Sequence, residues 1–353
     1  MRPAISRSVR GVLLLTACGA APDLPHAAPA ACEGIERVRG TMGTLARVRV
    51  CDAAAPGAAE SAEAALDAID RVDRVMSLYK AESDLSRLNR EGYPGPVSLD
   101  PWLIDLLARS ARLSKETRGR FDVTVKPLMD HYGFYRELGF APPPGGLRGA
   151  LRATGMSGLV VDEARGEARF RRQYSGVDLG GVAKGYALDR AGEVLRQRGA
   201  GRALLELGRS FLFLGEGPAD GGRWPVAIAD PRVEGALAGC FLSPPGSLSS
   251  SAPSGRVIQG SEGAVGHILD PRRGAAEARA LQATVWSPEG TRAEAWSKAA
   301  LLLKAQSAGS RLARHGEWAI LLEAGEDPAG PLSALRRGAE SAPLLSSCEG
   351  AKP

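Results

Sequence analysis

Val177-Asp178-Leu179-Gly180-Gly181-Val182-Ala183-Lys184-Gly185-Tyr186-Ala187-Leu188-Asp189 is the stretch on which the reading of this chain turns. A short strand-like entry runs into Asp178, two adjacent glycines follow, and a helical pattern then begins. Ala183, Ala187, Ala191, Val194 and Leu195 recur at three- and four-residue intervals, and Gly199 stands where a helix C-cap belongs. Glycines ahead of a helix let backbone N–H and C=O groups approach a ligand closely, and the helix N-terminus favours an anion. Lys184 falls in the first helical turn, where a cation opposes the helix dipole, so a local partner such as a phosphate or Asp178 is expected. The same spacing also fits an ordinary strand-to-helix turn. It matches neither the G-x-x-x-x-G-K-[ST] phosphate loop nor the G-x-G-x-x-G dinucleotide fingerprint.

Upstream of this stretch, helices dominate. Arg47 to Val50 alternates polar and apolar after Leu45-Ala46, as a half-buried strand does, and Gly43 just ahead permits a bend. Ala62, Ala65, Leu66, Ile69, Val72, Val75 and Met76 trace one face of a helix. Asp100-Pro101 supplies an N-cap and a first-turn proline for a second helix, ending near Thr117. Downstream, Ala203–Leu207, Phe211–Leu214, Trp224–Ala229, Gln282–Trp286 and Glu317–Glu323 are short apolar or alternating runs between Gly or Pro turns, hence strands. A helix from about Thr291 to Lys304 buries Ala295, Ala299 and Leu302. Helices first and strands mostly later point to an α+β architecture, mixed β-sheets with packed helices, rather than a regular βαβ wind. Residues 35–325 are expected to form one large unit with two intimately packed subdomains, and residues 326–353 an irregular tail.

The 353 residues carry a formal charge of +5, spread along the chain. No Lys/Arg block marks a nucleic-acid-binding arm, so no nucleic-acid partner is expected. Arg2, Arg7 and Arg10 form a basic region ahead of a short apolar run, Val12–Leu15, far below the roughly 20 residues of a membrane span. Residues 1–17 therefore read as an export signal. Leu15-Thr16-Ala17-Cys18 resembles the bacterial lipoprotein cleavage box. That resemblance implies lipidation of Cys18 and an anchor on the periplasmic side of a bacterial membrane; the alternative is a plain secretory signal. Ala- and Pro-rich residues 18–34 follow as a tether. Setting Cys18 aside leaves four cysteines, which an oxidising compartment allows to pair in three ways. Cys32 and Cys51 flank one strand-like segment and are favoured as a pair, leaving Cys240 with Cys348.

Six blocks in order carry a family resemblance. They are Met42-Gly43-Thr44, Met76-Ser77-Leu78-Tyr79, Ser83 to Asn89, Gly119–Leu128 (GRFDVTVKPL), the central VDLGGVAKGYALD, and His267-Ile268-Leu269-Asp270-Pro271. With the lipoprotein signal they resemble the FAD:protein FMN transferases, the ApbE family, over about residues 36–323. The resemblance implies an ApbE-like fold and an enzyme that binds FAD. It further implies that, with magnesium, FMN moves onto a threonine or serine hydroxyl of a partner protein and AMP is released. Acceptors in the family are subunits of membrane redox complexes. By matching position, Met42, Tyr79, Arg120, Phe121, Asp122, Asp178, Lys184 and Ile268 are expected to line the FAD site, and Gly181 to offer its carbonyl to the metal.

The residue chemistry is compatible with that expectation. Phosphoryl transfer asks for charge neutralisation around the pyrophosphate and an oriented nucleophile. Tyr79 and Phe121 can stack on rings or pack in the core, and Asp122 and Asp178 can bind ligand hydrogens or stabilise turns. His267 leads into the polar turn Asp270-Pro271-Arg272, and the family match gives it the role of taking the acceptor's proton.

Departures from the family pattern are equally informative. Where the family's last helix carries metal ligands in an Asp-x-x-Asp/Ser-Thr pattern, this chain has Glu294-Ala295-Trp296-Ser297-Lys298. Glu294 and Ser297 keep oxygen ligands for a hard cation, whereas Lys298 has three donors and no acceptor. The i,i+4 spacing suits an ion pair that sets the Lys298 charge where magnesium is expected. Gly208-Arg209-Ser210 also stands in place of Gly-Gly-Asp, and Ser251-Ala252 in place of Ser-Gly. Two functions follow: a flavin transferase with a modified metal site, or a flavin-binding lipoprotein with little or no transfer. Slow hydrolysis of FAD to FMN and AMP is a third.

Overall fold

The computed structural model describes residues 32–51, 57–260, 263–276, 280–324, 332–339, 343 and 346. The expected export signal, Cys18 and the expected tether up to residue 31 lie outside the described residues.

Strands β1 (Ile35–Thr41) and β2 (Thr44–Val50) form a hairpin. Its two-residue turn is Met42-Gly43, with φ of 51° and 72°, the positive values such a turn requires. The favoured Cys32–Cys51 disulfide closes the same hairpin. Helix α1 (Ala58–Met76) buries the apolar face read from the sequence. Helix α2 (Asp84–Glu91) starts at Ser83, whose hydroxyl accepts from the Ser86 N–H at 3.0 Å. After β3 (Val97–Ser98), α3 (Pro101–Glu116) is capped by Asp100 as expected. Helices α4 (Lys126–Tyr132) and α5 (Gly146–Ala153) lead to β4 (Leu159–Asp162) and β5 (Glu167–Phe170), which join β3 in a small sheet.

The central stretch opens α6 (Ala183–Gln197), followed by β6 (Ala203–Leu207) and β7 (Ser210–Leu214). A ribbon of β8 (Trp224–Ala229) and β9 (Leu237–Ser243) comes next, then β10 (Gly246–Ser251). A second ribbon, β11 (Val257–Gly260) and β12 (Gly263–Gly266), precedes β13 (Gln282–Ser287). Helices α7 (Gly290–Leu302) and α8 (Ala305–Ala313) and strand β14 (Trp318–Glu323) follow. The segment beyond residue 325, expected to be irregular, contributes β15 (Ser333–Gly338), which pairs with β14 along its length. Its short, largely polar sequence, Ser-Ala-Leu-Arg-Arg-Gly, and edge position hid it: an edge strand has few apolar contacts to announce it.

One antiparallel sheet in the order β1-β2-β6-β7-β10-β13-β14-β15 carries the molecule. Period-two alternation splits its side chains between two cores. Leu204, Phe213, Leu248, Trp318, Ile320 and Leu322 meet Trp224 and Phe241 of the β8–β9 ribbon. Leu205, Leu207, Leu212, Ala319 and Leu321 face the helices. Ser346 bonds both ways with the Cys240 backbone, and Cys240 is disulfide-bonded; its expected partner Cys348 lies outside the described residues.

Helix α7 is buried on nearly every side, Glu294 and Ser297 included. The central stretch seats it. A Cβ on Gly185 would meet the Gly290 carbonyl oxygen at 2.1 Å, so only glycine permits this approach of α6 to α7. One turn on, the Asp189 carboxylate accepts from the N–H groups of Gly290 at 2.6 Å and Thr291 at 2.8 Å, capping α7 from outside it.

Candidate active site

A cavity of about 1500 Å³ opens between the β1–β2 turn, the end of α1, the Arg120–Val123 loop, the start of α6 and the face of α7. Small-ligand sites commonly span roughly 300–1,000 Å³, so this one admits a dinucleotide. Met42, Tyr79, Arg120, Phe121, Asp122, Asp178, Gly181, Lys184, His267, Ile268 and Glu294 all line it. Ser297, expected among the metal ligands, does not: it is fully buried behind the wall.

The entry to the central stretch is fixed by Asn89, whose amide donates to the Val177 carbonyl at 2.9 Å and accepts from its N–H at 2.7 Å. Asp178 then turns the chain. One carboxylate oxygen accepts from the Gly180 N–H at 2.8 Å and the other from the Tyr135 hydroxyl at 2.6 Å. Burial, then the Asp178 charge, push the Tyr135 hydroxyl well above its ordinary range, so it remains a donor. Asp178 is thus engaged by neutral donors, and not by Lys184 as one reading of the sequence had it.

Asp122 behaves as a turn cap. Its carboxylate accepts from the Thr124 N–H at 2.8 Å, the Thr124 hydroxyl at 2.5 Å and the Met156 N–H at 3.1 Å. Burial raises its carboxyl above the usual range against these bonds. Arg120 pairs with the buried Asp270 carboxylate, which also accepts from the Arg272 N–H at 2.9 Å and so organises the turn after His267. Phe121 and Ile268 are buried floor residues. Tyr79 is 58% exposed at the mouth, edge-on to Tyr135 with ring centroids 6.2 Å apart, and its hydroxyl receives Arg256 at 3.1 Å. Tyr135 and Arg256 were not singled out in the sequence, because they meet the site only through contacts distant in the chain.

His267 points Nδ1 at the Arg256 carbonyl, 3.1 Å away. A carbonyl only accepts, so Nδ1 carries the proton and Nε2 the free lone pair. Burial lowers the imidazole to about 4, opposed by the hydrogen bond to Arg256 and assisted by the charges of Lys298, Lys184 and Arg256. The ring is neutral at neutral pH.

On the α7 wall, Glu294 receives Ser210 on Oε1 and the Lys298 ammonium on Oε2, both in short contacts. Burial pushes the Glu294 carboxyl up, but Lys298 and Lys184 outweigh it and hold the group ionised. Burial draws the Lys298 ammonium down, with Glu294 opposing. Behind the pair, the Ser297 hydroxyl sits 2.7 Å from that of Ser251 and 2.8 Å from the Glu294 carbonyl oxygen, to which it donates. Lys184 and Arg209 line the same cavity, and neither side chain has a hydrogen-bond or ion-pair partner among the described residues. Burial alone lowers the Arg209 guanidinium.

Two of the three residues expected to hold magnesium, Glu294 and Ser297, do not fit it, while Gly181 lines the cavity as expected. Both Glu294 oxygens are taken, Ser297 is sealed off, and an ammonium occupies the carboxylate a cation would need. Among the described residues, no group of three or more His, Cys, Asp or Glu is placed to hold a metal.

A family model described as the ApbE family matches residues 42–322. The chain is 30% identical over 310 residues to the FAD:protein FMN transferase of Salmonella typhimurium, covering 86% of this chain and 87% of that one. It is 27% identical over 312 residues to an FAD:protein FMN transferase of Klebsiella pneumoniae, with 86% and 87% covered. Among solved structures, the ApbE protein of Thermotoga maritima superposes with a TM-score of 0.74 at 23% identity, over 88% of this chain and 98% of that one. The flavin transferase ApbE of Vibrio cholerae gives 0.72 at 22% identity, over 87% and 98%. At that identity the likeness is one of fold.

Proposed function

Since this chain belongs to the ApbE family, we propose that it transfers FMN from FAD to a threonine or serine hydroxyl of a partner protein, with release of AMP. The observation that carries the reading is a dinucleotide-sized cavity lined by an aromatic mouth, a neutral histidine, and two cations, Lys184 and Arg209, without partners among the described residues. The acceptor oxygen attacks the FMN phosphorus and a new P–O ester bond forms. The bond from that phosphorus to the oxygen shared with AMP breaks, and AMP leaves with that oxygen. The hydroxyl proton goes to Nε2 of His267, and nothing is oxidised or reduced.

In this reading Met42, Tyr79, Phe121 and Ile268 hold the rings, Asp178 with Tyr135 anchors polar ligand edges, and Lys184 meets the phosphates. Asp122 and Arg120 act by shaping the loop, since their charged groups are spent on protein partners. The family's magnesium has no step here, because Lys298 already neutralises Glu294. We also propose that the chain is an exported lipoprotein anchored through Cys18, facing an acceptor subunit of a membrane redox complex; the lipobox-like Leu15–Cys18 supports this.

The occupied Glu294 carboxylate favours one second reading, a lipoprotein that binds FAD with little transfer. Incubation with FAD and a tagged acceptor domain, followed by in-gel flavin fluorescence, separates the two. A fluorescent acceptor band, lost when its threonine or serine is replaced by alanine, is expected. Tight FAD binding with a dark acceptor, with or without added magnesium, overturns transfer in favour of the second reading.

A further inference from the structure

Lys298 and Lys184 lie together on one side of the cavity, and Arg209 lines it as well. Lys298 is fixed by Glu294, and Glu294 by Ser210, the residue after Arg209 on β7. Lys184 stands in the first turn of α6, close enough to act on the charges of both Glu294 and Lys298. Arg209, half-buried, lines the same cavity and has no partner among the described residues. A half-buried guanidinium without a counter-ion is costly to maintain unless a ligand supplies the charge. Lys298 and Lys184 against Glu294 leave one positive charge in excess on this wall, and Arg209 adds a second cation to the cavity. A pyrophosphate diester, with one negative charge on each phosphate, is complementary to that excess.

We propose that the Glu294 wall is a metal-independent pyrophosphate subsite, in which the Lys298 ammonium takes the place of a divalent cation and binds phosphate oxygens together with Lys184 and Arg209. This rests on the proposed FAD chemistry for the identity of the ligand but not for the subsite itself. Lys298 is tethered at i,i+4 to its carboxylate, so the positive charge is covalently attached and pre-positioned rather than recruited from solution. Arg209 contributes a planar fork suited to two oxygens at once. The substitutions Lys298 and Arg209, both departures from the family's sequence pattern, then act as one device.

Calorimetry with inorganic pyrophosphate, FAD and riboflavin, each in EDTA and in millimolar magnesium, tests the proposal. Wild type is expected to bind pyrophosphate and FAD in EDTA, with no gain on adding magnesium. Arg209→Ala breaks no bond within the described residues, so its fold is retained. It is expected to weaken pyrophosphate and FAD by about tenfold or more, the scale of one lost charge-assisted contact, and to leave riboflavin unchanged. Lys298→Thr is expected to weaken pyrophosphate in EDTA and to recover affinity with magnesium. A wild type that needs magnesium to bind pyrophosphate, or an Arg209→Ala variant with unaltered pyrophosphate affinity, overturns the subsite. Pyrophosphate bound without FAD or riboflavin overturns the flavin reading and leaves the subsite standing. Riboflavin bound without pyrophosphate does the reverse.

Discussion

Asp178 and Glu294 are buried carboxylates on one cavity, and their surroundings satisfy them in opposite ways. Asp178 accepts from a backbone N–H and a phenol, both neutral, so its negative charge still faces the cavity. Glu294 accepts from a serine and an ammonium, so its charge is cancelled within the protein. A carboxylate of the first kind can attract a ligand's donors. One of the second kind holds a cation for the ligand's anion. The residue type is the same in effect; what stands i+4 along the helix decides its chemistry.

The strongest way to break this contrast is to make the two corners alike. Lys298→Thr removes the internal cation and leaves a free carboxylate beside a hydroxyl. Two unit charges about 4 Å apart repel by about 4 kcal/mol at an effective dielectric near 20, so magnesium affinity is expected to rise by up to about a thousandfold. Adding Glu294→Asp should raise it further. Magnesium titration of FAD binding and of FMN transfer is the measurement, and identical metal dependence in wild type and Lys298→Thr would show that the ammonium never competed for the site.

Removing the charge without offering a substitute should harm the fold instead. Lys298→Met leaves Glu294 buried with the Ser210 hydroxyl and Lys184 as its remaining partners, and breaking one partner of a buried pair costs about 3 kcal/mol. The double variant Lys298→Met with Glu294→Gln is expected to regain most of that. Urea midpoints for the two variants decide the point; equal loss in both would mean that the pair contributes packing and not charge. At the other corner, Tyr135→Phe deletes one of the two donors to Asp178. A lost bond to a charged group is worth about 2 kcal/mol, which should appear in urea stability, while pyrophosphate affinity stays unchanged because that wall is untouched.

The contrast also marks what the sequence could and could not disclose. Lys298 pairing with Glu294 was legible, because helical spacing alone brings i and i+4 together. So were α1, α3, α6 and the apolar strands, each with a clear period. Tyr135 meeting Asp178 spans 43 residues, Ser210 meeting Glu294 spans 84, and Arg120 meeting Asp270 spans 150. No local pattern encodes such contacts. Strand β10, Gly-Ser-Leu-Ser-Ser-Ser, reads as a loop by composition. Ser249 and Ser251 are tolerated in the interior because they face Ser297 of α7 and share hydrogen bonds with it there. From sequence alone Asp122 suits a ligand or a turn, and in the fold its carboxylate accepts from the Thr124 N–H two residues on while it also lines the cavity.

His267 gives the smallest effect and the most specific sign. Its folded value, about 4, lies below the ordinary 6.5 of an unfolded histidine. Between those limits the unfolded chain takes up a proton that the folded chain refuses, so stability falls as pH drops from 6.5 towards 4 and is indifferent above 6.5. After allowance for the ring's partial exposure, wild type should lose about 1 kcal/mol more than His267→Gln between pH 7 and pH 5. Parallel urea titrations of the two proteins measure this. A bound polyanion offsets Lys184 and Lys298, two of the charges that disfavour the imidazolium, and should move the His267 titration upward. An NMR titration with and without inorganic pyrophosphate reads that shift directly. An imidazole whose titration ignores pyrophosphate would place His267 outside the reach of the cationic wall, and would remove it as the base that takes the proton of a hydroxyl attacking a phosphorus bound there.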